Sequence, residues 1–186
     1  MFSALTKIQS ELSDRIRLVI VGDGQKRYVR KLRLFQENNR SLLPRIDWIG
    51  EIWTEEKWKY LQGADLFCLP SYSENFGLAV LEALQVGTRV LTTDQTPWGN
   101  LPSWDAGWIA QPQADALAKS LAQYLANSEW TIDQRKSLAV QTRQRFAWEN
   151  IGPHYLRFYE DIFRDNATFQ SRSEYDFGRN KRAPSN

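Results

Sequence analysis

The feature that most restricts the fold is an alternation. From Ile16 to about Ala126, short apolar runs and helical stretches take turns, and the runs end in glycine or in a polar loop. Ile16 to Val21 is β-branched and empties into Gly22-Asp23-Gly24, while the alternating run from Ile46 to Ile49 stops at Gly50. Leu66 to Leu69 reaches Pro70 and Ser71, and Arg89 to Thr93 opens into a loop from Asp94 to Asn100. Trp108 to Ala110 reads as a short edge strand. Strands that alternate with helices argue for an α/β fold, a Rossmann-like parallel sheet with helices on both faces. Ligands of such sheets bind beyond the carboxyl ends of the strands. The turn at Gly22–Gly24, the segment from Gly50 to Ile52, the Ser71–Phe76 loop and the Asp94–Gly99 loop would therefore line one crevice.

The stretch from Ser71 to Leu84 stands out within this pattern. A polar loop follows the Leu66 strand, and an apolar helix follows the loop and is closed by Gly87. Leu78, Val80, Leu81, Leu84 and Val86 wrap most of that helix, which predicts that it is sandwiched in the core. Glu82 is the only charge between Gly77 and Gly87. An ionised carboxylate buried without a partner costs several kcal/mol, so Glu82 needs a polar destination. A ligand and a helix edge that reaches solvent both qualify. Glu74, in the loop, has a local reading too, as the partner of Ser71 in a capping box.

The flanking segments are simpler. Phe2, Leu5, Ile8 and Leu12 at helical spacing predict a helix from Phe2 to Ser13. The strand, glycine turn and helix from Ile16 to Glu37 have the layout by which backbone N–H groups approach a phosphate, or are simply a tight turn. That helix carries Lys26, Arg27, Arg30, Lys31 and Arg33 opposite Val29, Leu32 and Phe35, a face suited to solvent or to anionic lipid. Pro44 breaks the pattern before the second strand, and Thr54 and Gly63 bracket a short helix from Glu55 to Gln62. After Ala114 the chain is helical, with Tyr155, Phe158, Tyr159 and Ile162 expected to pack inward in a C-terminal extension. Residues 164–186 are polar and read as a disordered tail.

Composition excludes several chemistries. A net charge of +2 over 186 residues gives no footprint for nucleic acid. The single cysteine, Cys68, lies inside an apolar strand and suits the core of a protein from a reducing compartment. No signal peptide or membrane-length apolar run is visible, which favours the cytoplasm. His154 is the sole histidine, so no His/Cys metal cluster or Cys-His dyad can form. There is no Asp-x-Asp pair and no P-loop, hence no expected metal or cofactor.

The order of motifs resembles a known family. Leu18-Val-Ile-Val-Gly-Asp-Gly24, Trp48-Ile-Gly-Glu-Ile52, Ala64-Asp-Leu-Phe-Cys-Leu-Pro-Ser71, Glu74-Asn-Phe-Gly77, Glu82-Ala83 and Gly87-Thr-Arg-Val-Leu91 are similar to glycosyltransferase family 4 (group 1). The closer likeness is to the C-terminal, donor-binding half of these two-domain GT-B enzymes, spanning residues 1–163 as one domain. Thr96-Pro97-Trp98 and Gly107-Trp108 resemble a bacterial branch associated with lipopolysaccharide and exopolysaccharide assembly. The resemblance implies that Glu74 bonds hydroxyls of the donor sugar near the reacting centre, the catalytic position, and that Glu82 accepts from the ribose hydroxyls. It implies that backbone N–H groups of Phe76, Gly77 and Leu78 face the diphosphate, that Asn75 belongs to the same substrate-binding motif, that Ile52 lies against the base, and that Gly22 and Gly24 form the pocket floor. Trp98 would bound the sugar site or belong to the core.

The same resemblance predicts what is lacking. The family's half begins with a strand that ends in Gly-Arg, followed by a lysine; Met1 stands after that point, and Lys7 does not match the lysine. The first strand, its two cations and the N-terminal acceptor domain would have to come from a longer protein or a partner chain. The expected activity of the whole is hexosyl transfer from a nucleotide-diphosphate sugar to a glycan or lipid-linked acceptor, with retention, at the inner face of a membrane. The 186 residues alone are expected to be at best a weak nucleotide-sugar binder. Two alternatives are a non-catalytic remnant that binds nucleotide or a partner, and a nucleotide-sugar epimerase of the same fold, which would be expected to bring further histidines and acids.

Overall fold

The computed structural model describes residues 1–8, 16–43, 45–126 and 129–176, with side chains through residue 164. The chain divides into two units, Met1–Thr142 and Arg143–Asn186.

In the first unit every strand pairing is parallel. Strands β1 (Arg17–Val21) and β2 (Arg45–Gly50) pair with Arg17 opposite Arg45 and Val21 opposite Gly50. Strands β3 (Leu66–Leu69), β4 (Arg89–Thr93) and β5 (Gly107–Ala110) follow one another in that order in a second sheet. The expected α/β class with helices on both faces is the one observed. The single sheet is replaced by two hydrogen-bonded sheets, because no ladder joins β1 or β2 to β3, β4 or β5.

The period-two alternation of each strand divides its side chains between two layers. Leu18 and Ile20 of β1, Ile46 and Trp48 of β2, Leu66 and Cys68 of β3, and Leu91 of β4 pack into one core. It is covered by Phe2 and Leu5 of α1 (Phe2–Leu5), Leu32 and Phe35 of α2 (Lys26–Asn38), and Leu117 and Leu121 of α5 (Ala114–Ala126). On the opposite face lie α3 (Lys57–Gly63) and α4 (Leu78–Gln85), where Val80, Ala83 and Leu84 are fully buried. The hydroxyl of Thr88 donates to the Leu61 carbonyl at 2.6 Å and ties α3 to the start of β4.

Gly87 closes α4 as expected. With φ at +80° it lets its own N–H reach Leu84 O (3.0 Å) and the Thr88 N–H reach Ala83 O (3.0 Å), a Schellman ending. The backbone of α6 (Ile132–Arg145) packs directly on it: a Cβ at Gly87 would stand 2.2 Å from Arg135 O.

Several expectations are corrected. Helix α4 is not wrapped in core, since Leu78 is 67% exposed; its buried stripe is narrower than its apolar composition implies. Helix α3 starts two residues late because Thr54 to Lys57 form a tighter turn, with the Lys57 N–H on Thr54 O at 3.2 Å. Helix α1 ends at Leu5 with Thr6 as its C-cap, and residues 6–8 turn away, so the helix predicted from Phe2 to Ser13 is cut short; residues 9–15 and the break at Pro44 lie outside the described residues.

In the second unit, α7 (Trp148–Asp176) exposes Tyr155, Phe158, Tyr159 and Ile162, contrary to their predicted inward packing. Their rings find neighbours along the helix, Trp148 against Tyr155 and Phe158 against Tyr159, and among the described residues of this unit no second layer covers them. The tail predicted from residue 164 overlaps the end of α7, and residues 177–186 lie outside the described part.

Candidate functional site

The carboxyl ends of β1 and β2 are fastened to each other. The Gly22 N–H donates to Gly50 O at 2.7 Å, with φ of +124° and +86° at the two glycines. Side chains rarely adopt these angles, and a Cβ at either position would meet nothing within 4 Å, so both glycines border open space. Asp23 turns back to accept the Gly24 N–H at 2.7 Å. Gly24 has ordinary φ, and a Cβ there would make normal contact with Val29. Ile52, two residues past β2, is half-buried.

The loop after β3 is held by threonines of β4. Thr92 Oγ1 donates to Leu69 O at 2.8 Å, and Thr93 Oγ1 donates to Ser71 O. These two buried hydroxyls escaped the sequence reading; the visible signal was a polar pair ending an otherwise apolar strand. Ser71 Oγ in turn donates to Ser73 O at 2.7 Å. Further along, Trp98 Nε1 donates to Phe76 O, and the two rings lie 5.3 Å apart. Trp98 is 3% exposed. Trp98 is therefore a core residue by burial, and its indole holds the loop at Phe76.

Glu74, Gly77 and Trp98 meet at one point. A Cβ on Gly77, whose φ is +76°, would lie 3.2 Å from Glu74 Cγ and 3.4 Å from Trp98 Nε1. Gly77 is the N-cap of α4, and no side chain caps the helix. The capping box between Ser71 and Glu74 is absent: the Ser71 hydroxyl serves Ser73, and the half-buried Glu74 carboxylate takes the Asn75 N–H at 3.1 Å. Asn75, Phe76 and Leu78 are exposed around this helix start.

Glu82 sits one turn into α4 with a partner the sequence did not reveal. Lys57 Nζ lies 2.7 Å from Glu82 Oε1, with side chains 35% and 28% exposed. The polar destination inferred for Glu82 is thus an edge position with a cation, and only one carboxylate oxygen is engaged by it. Nothing local signals the pairing, because the residues are 25 positions apart on separate helices. Lys7, already set aside as a phosphate-binding candidate, pairs with Asp115 at 2.7 Å.

The arrangement supplies two carboxylates as hydroxyl acceptors, with a helix N-terminus and its dipole between them for an anion. Among the described residues no group of three His, Cys, Asp or Glu side chains could hold a metal ion. Burial pushes the Cys68 thiol up to about 12, which removes it as a nucleophile at neutral pH. His154 is exposed in the second unit.

Residues 1–145 match the family model described as glycosyl transferases group 1. A phosphatidyl-myo-inositol mannosyltransferase of Mycobacterium leprae is 25% identical over 167 residues, covering 88% of this chain and 42% of that protein. Among solved structures, sucrose-phosphate synthase of Thermosynechococcus elongatus superposes with a TM-score of 0.62 at 25% identity, over 88% of this chain and 42% of that one. HepE of Anabaena, solved with UDP-glucose, gives a TM-score of 0.66 at 18% identity, over 86% of this chain and 44% of that one. The chain spans about two-fifths of the length of the curated relatives it matches first (42% and 41%).

Proposed function

The chain belongs to the group 1 glycosyl transferases, and from that membership we propose that it is the donor-holding, C-terminal half of a family 4 GT-B enzyme. The observation that carries the proposal is the uncapped start of α4 set between two carboxylates, Glu74 before it and Glu82 within it. A nucleotide-diphosphate sugar has the complementary order of groups: sugar hydroxyls, diphosphate, ribose hydroxyls and base. In this reading the diphosphate lies against the backbone from Asn75 to Leu78, where the helix dipole contributes about 0.3–1 kcal/mol to an anion. Glu74 accepts from the sugar hydroxyls beside the anomeric carbon. Glu82 accepts from the ribose through the oxygen that Lys57 leaves free. Ile52 borders the base, and the open ground above Gly22 and Gly24 admits the rest of the nucleotide. Trp98 acts indirectly, by fixing Phe76.

The reaction of the whole protein is proposed as hexosyl transfer with retention to a glycan or lipid-linked acceptor in the cytoplasm, without a required metal. Stabilising the departing diphosphate is the largest demand of such a transfer, and positioning an acceptor is the second. Both would be met by polypeptide outside these residues, so the chain alone binds donor weakly and transfers nothing. No described helix is long and apolar enough to cross a membrane. The exposed cations Lys26, Arg27, Arg30 and Lys31 of α2 suit peripheral contact with anionic lipid.

Calorimetry with a panel of nucleotide-diphosphate sugars on wild type and Glu82→Gln tests the proposal. One member of the panel binds the wild type and binds the variant at least about tenfold more weakly, the loss of one charged hydrogen bond. Equal binding to both proteins, or to neither, refutes the site.

A further inference from the structure

Most tryptophans of the first unit are covered. Trp48 donates to Gln36 at 2.9 Å and lies under the Arg33 guanidinium, and Trp98 is 3% exposed. Trp108 meets Tyr124 edge-on, and Trp130 donates to Gly87 O at 3.1 Å with the Arg89 guanidinium 3.5 Å from its ring. Trp53 is the exception. It is 84% exposed, more than any other large apolar or aromatic side chain among the described residues, and among them its ring faces meet no aromatic ring and no cation. An indole left in water is an apolar surface without a partner, and tryptophan is ordinarily well covered in a folded chain.

The ring is exposed but held. Its Nε1 donates to Glu51 Oε2 at 3.1 Å, which fixes one edge and leaves both faces open. The loop that carries it is pinned on either side. Before it, Gly50 O takes the Gly22 N–H at 2.7 Å and ties the loop to the turn after β1. After it, Thr54 starts the turn into α3: its hydroxyl accepts the Glu56 N–H at 3.3 Å, and its carbonyl accepts the Lys57 N–H at 3.2 Å. Lys57 in turn reaches Glu82 at 2.7 Å. Trp53 thus stands on the rim of the crevice, between Ile52 and the turn that brings the cation to Glu82. A ring oriented before its ligand arrives loses little freedom on binding.

We propose that Trp53 is a stacking platform for the base of the donor and that it favours purines. This role rests on the donor site proposed above, in which only Ile52 borders the base. With the sugar at Glu74 and the ribose at Glu82, the base is the group that extends past Lys57 toward the loop after β2. Every base is flat and has a π-face for the indole, so stacking itself supplies affinity. Preference comes from overlap, because a bicyclic purine covers more of a two-ring indole than a pyrimidine does. Glu51 acts through Trp53, by setting the plane of its ring. The contact lies far from the anomeric carbon and is made alike before and during the reaction, so it tightens donor binding without speeding transfer.

Calorimetry of the full chain with UDP, ADP, GDP and inorganic pyrophosphate, on wild type, Trp53→Ala, Trp53→Phe and Glu82→Gln, tests the platform. Wild type should bind a purine nucleotide more tightly than UDP. Trp53→Ala should bind that purine nucleotide about tenfold more weakly, lose less for UDP and nothing for pyrophosphate, and keep its Tm. Trp53→Phe, which retains a ring, should recover most of the loss. Tighter binding of UDP, an equal loss for purine and pyrimidine, a loss that extends to pyrophosphate, or a phenylalanine variant as weak as the alanine one overturns the proposal. If Glu82→Gln weakens nucleotide binding and Trp53→Ala does not, the donor site stands and the platform falls. If wild type binds none of the nucleotides, both fall.

Discussion

Lys57 and Glu82 form an ion pair between α3 and α4, with Nζ 2.7 Å from Oε1. Lys57 engages one oxygen of the carboxylate, and in the proposed site the pair serves to orient Glu82 more than to stabilise the fold. A partly exposed pair contributes about 0–1 kcal/mol. Lys57→Met should therefore leave the Tm nearly unchanged and weaken nucleotide-sugar binding about two- to fivefold, less than the tenfold loss from removing the charge in Glu82→Gln. Thermal melts and calorimetry on both variants check the ranking.

Gly77→Ala places a methyl group in left-handed backbone, 3.2 Å from Glu74 Cγ and 3.4 Å from the Trp98 indole nitrogen. The conformation alone costs about 1–2 kcal/mol, and relief of the crowding displaces Glu74. Binding should fall by more than the fold is weakened. A Leu78→Ala variant, altered at an exposed neighbouring position, should keep its stability.

Gly87 and Gly63 make a sharper pair for denaturant unfolding. A Cβ at Gly87 meets Arg135 O at 2.2 Å with φ at +80°, whereas one at Gly63 meets nothing within 4 Å. Gly87→Ala has to move the backbone of α6 or unwind the end of α4, a loss of about 3 kcal/mol or more. Gly63→Ala, at the last residue of α3, should be neutral or stabilising by up to about 1 kcal/mol.

The Cys68 thiol gives a pH signature. Its pKa is raised by burial from 9.0 to about 12, so the folded state favours the protonated form. The stability this contributes is fully present below pH 9 and is lost as pH rises toward 12, by up to about 1.4 kcal/mol per pH unit. The Tyr124 phenol, also raised by burial, acts in the same direction. The difference between wild type and Cys68→Ala isolates the thiol: it should be constant up to pH 9 and shrink above it.

Much of the strand and helix order was legible because it rests on local rules. The β-branched runs that stop at Gly22 and Gly50 became β1 and β2, and Gly87 ended α4 in the left-handed conformation its position suggested. What the sequence could not display is long-range pairing. The Lys57 partner of Glu82, the Thr93 hydroxyl on Ser71 O and the seat of Trp98 under Phe76 join residues more than twenty positions apart. The apolar count of α4 also misled, because composition does not tell which side chains of a short helix meet a sheet. Leu78 is apolar and outside, while Val80 is apolar and sealed.

The most direct measurement is an amide NMR titration of the isotopically labelled chain with the nucleotide-diphosphate sugar panel, carried to millimolar ligand. The account predicts saturable shifts centred on Gly22, Ile52, Asn75, Gly77 and Leu78, abolished by Glu82→Gln. Shifts centred elsewhere, or none with any sugar nucleotide, would contradict it.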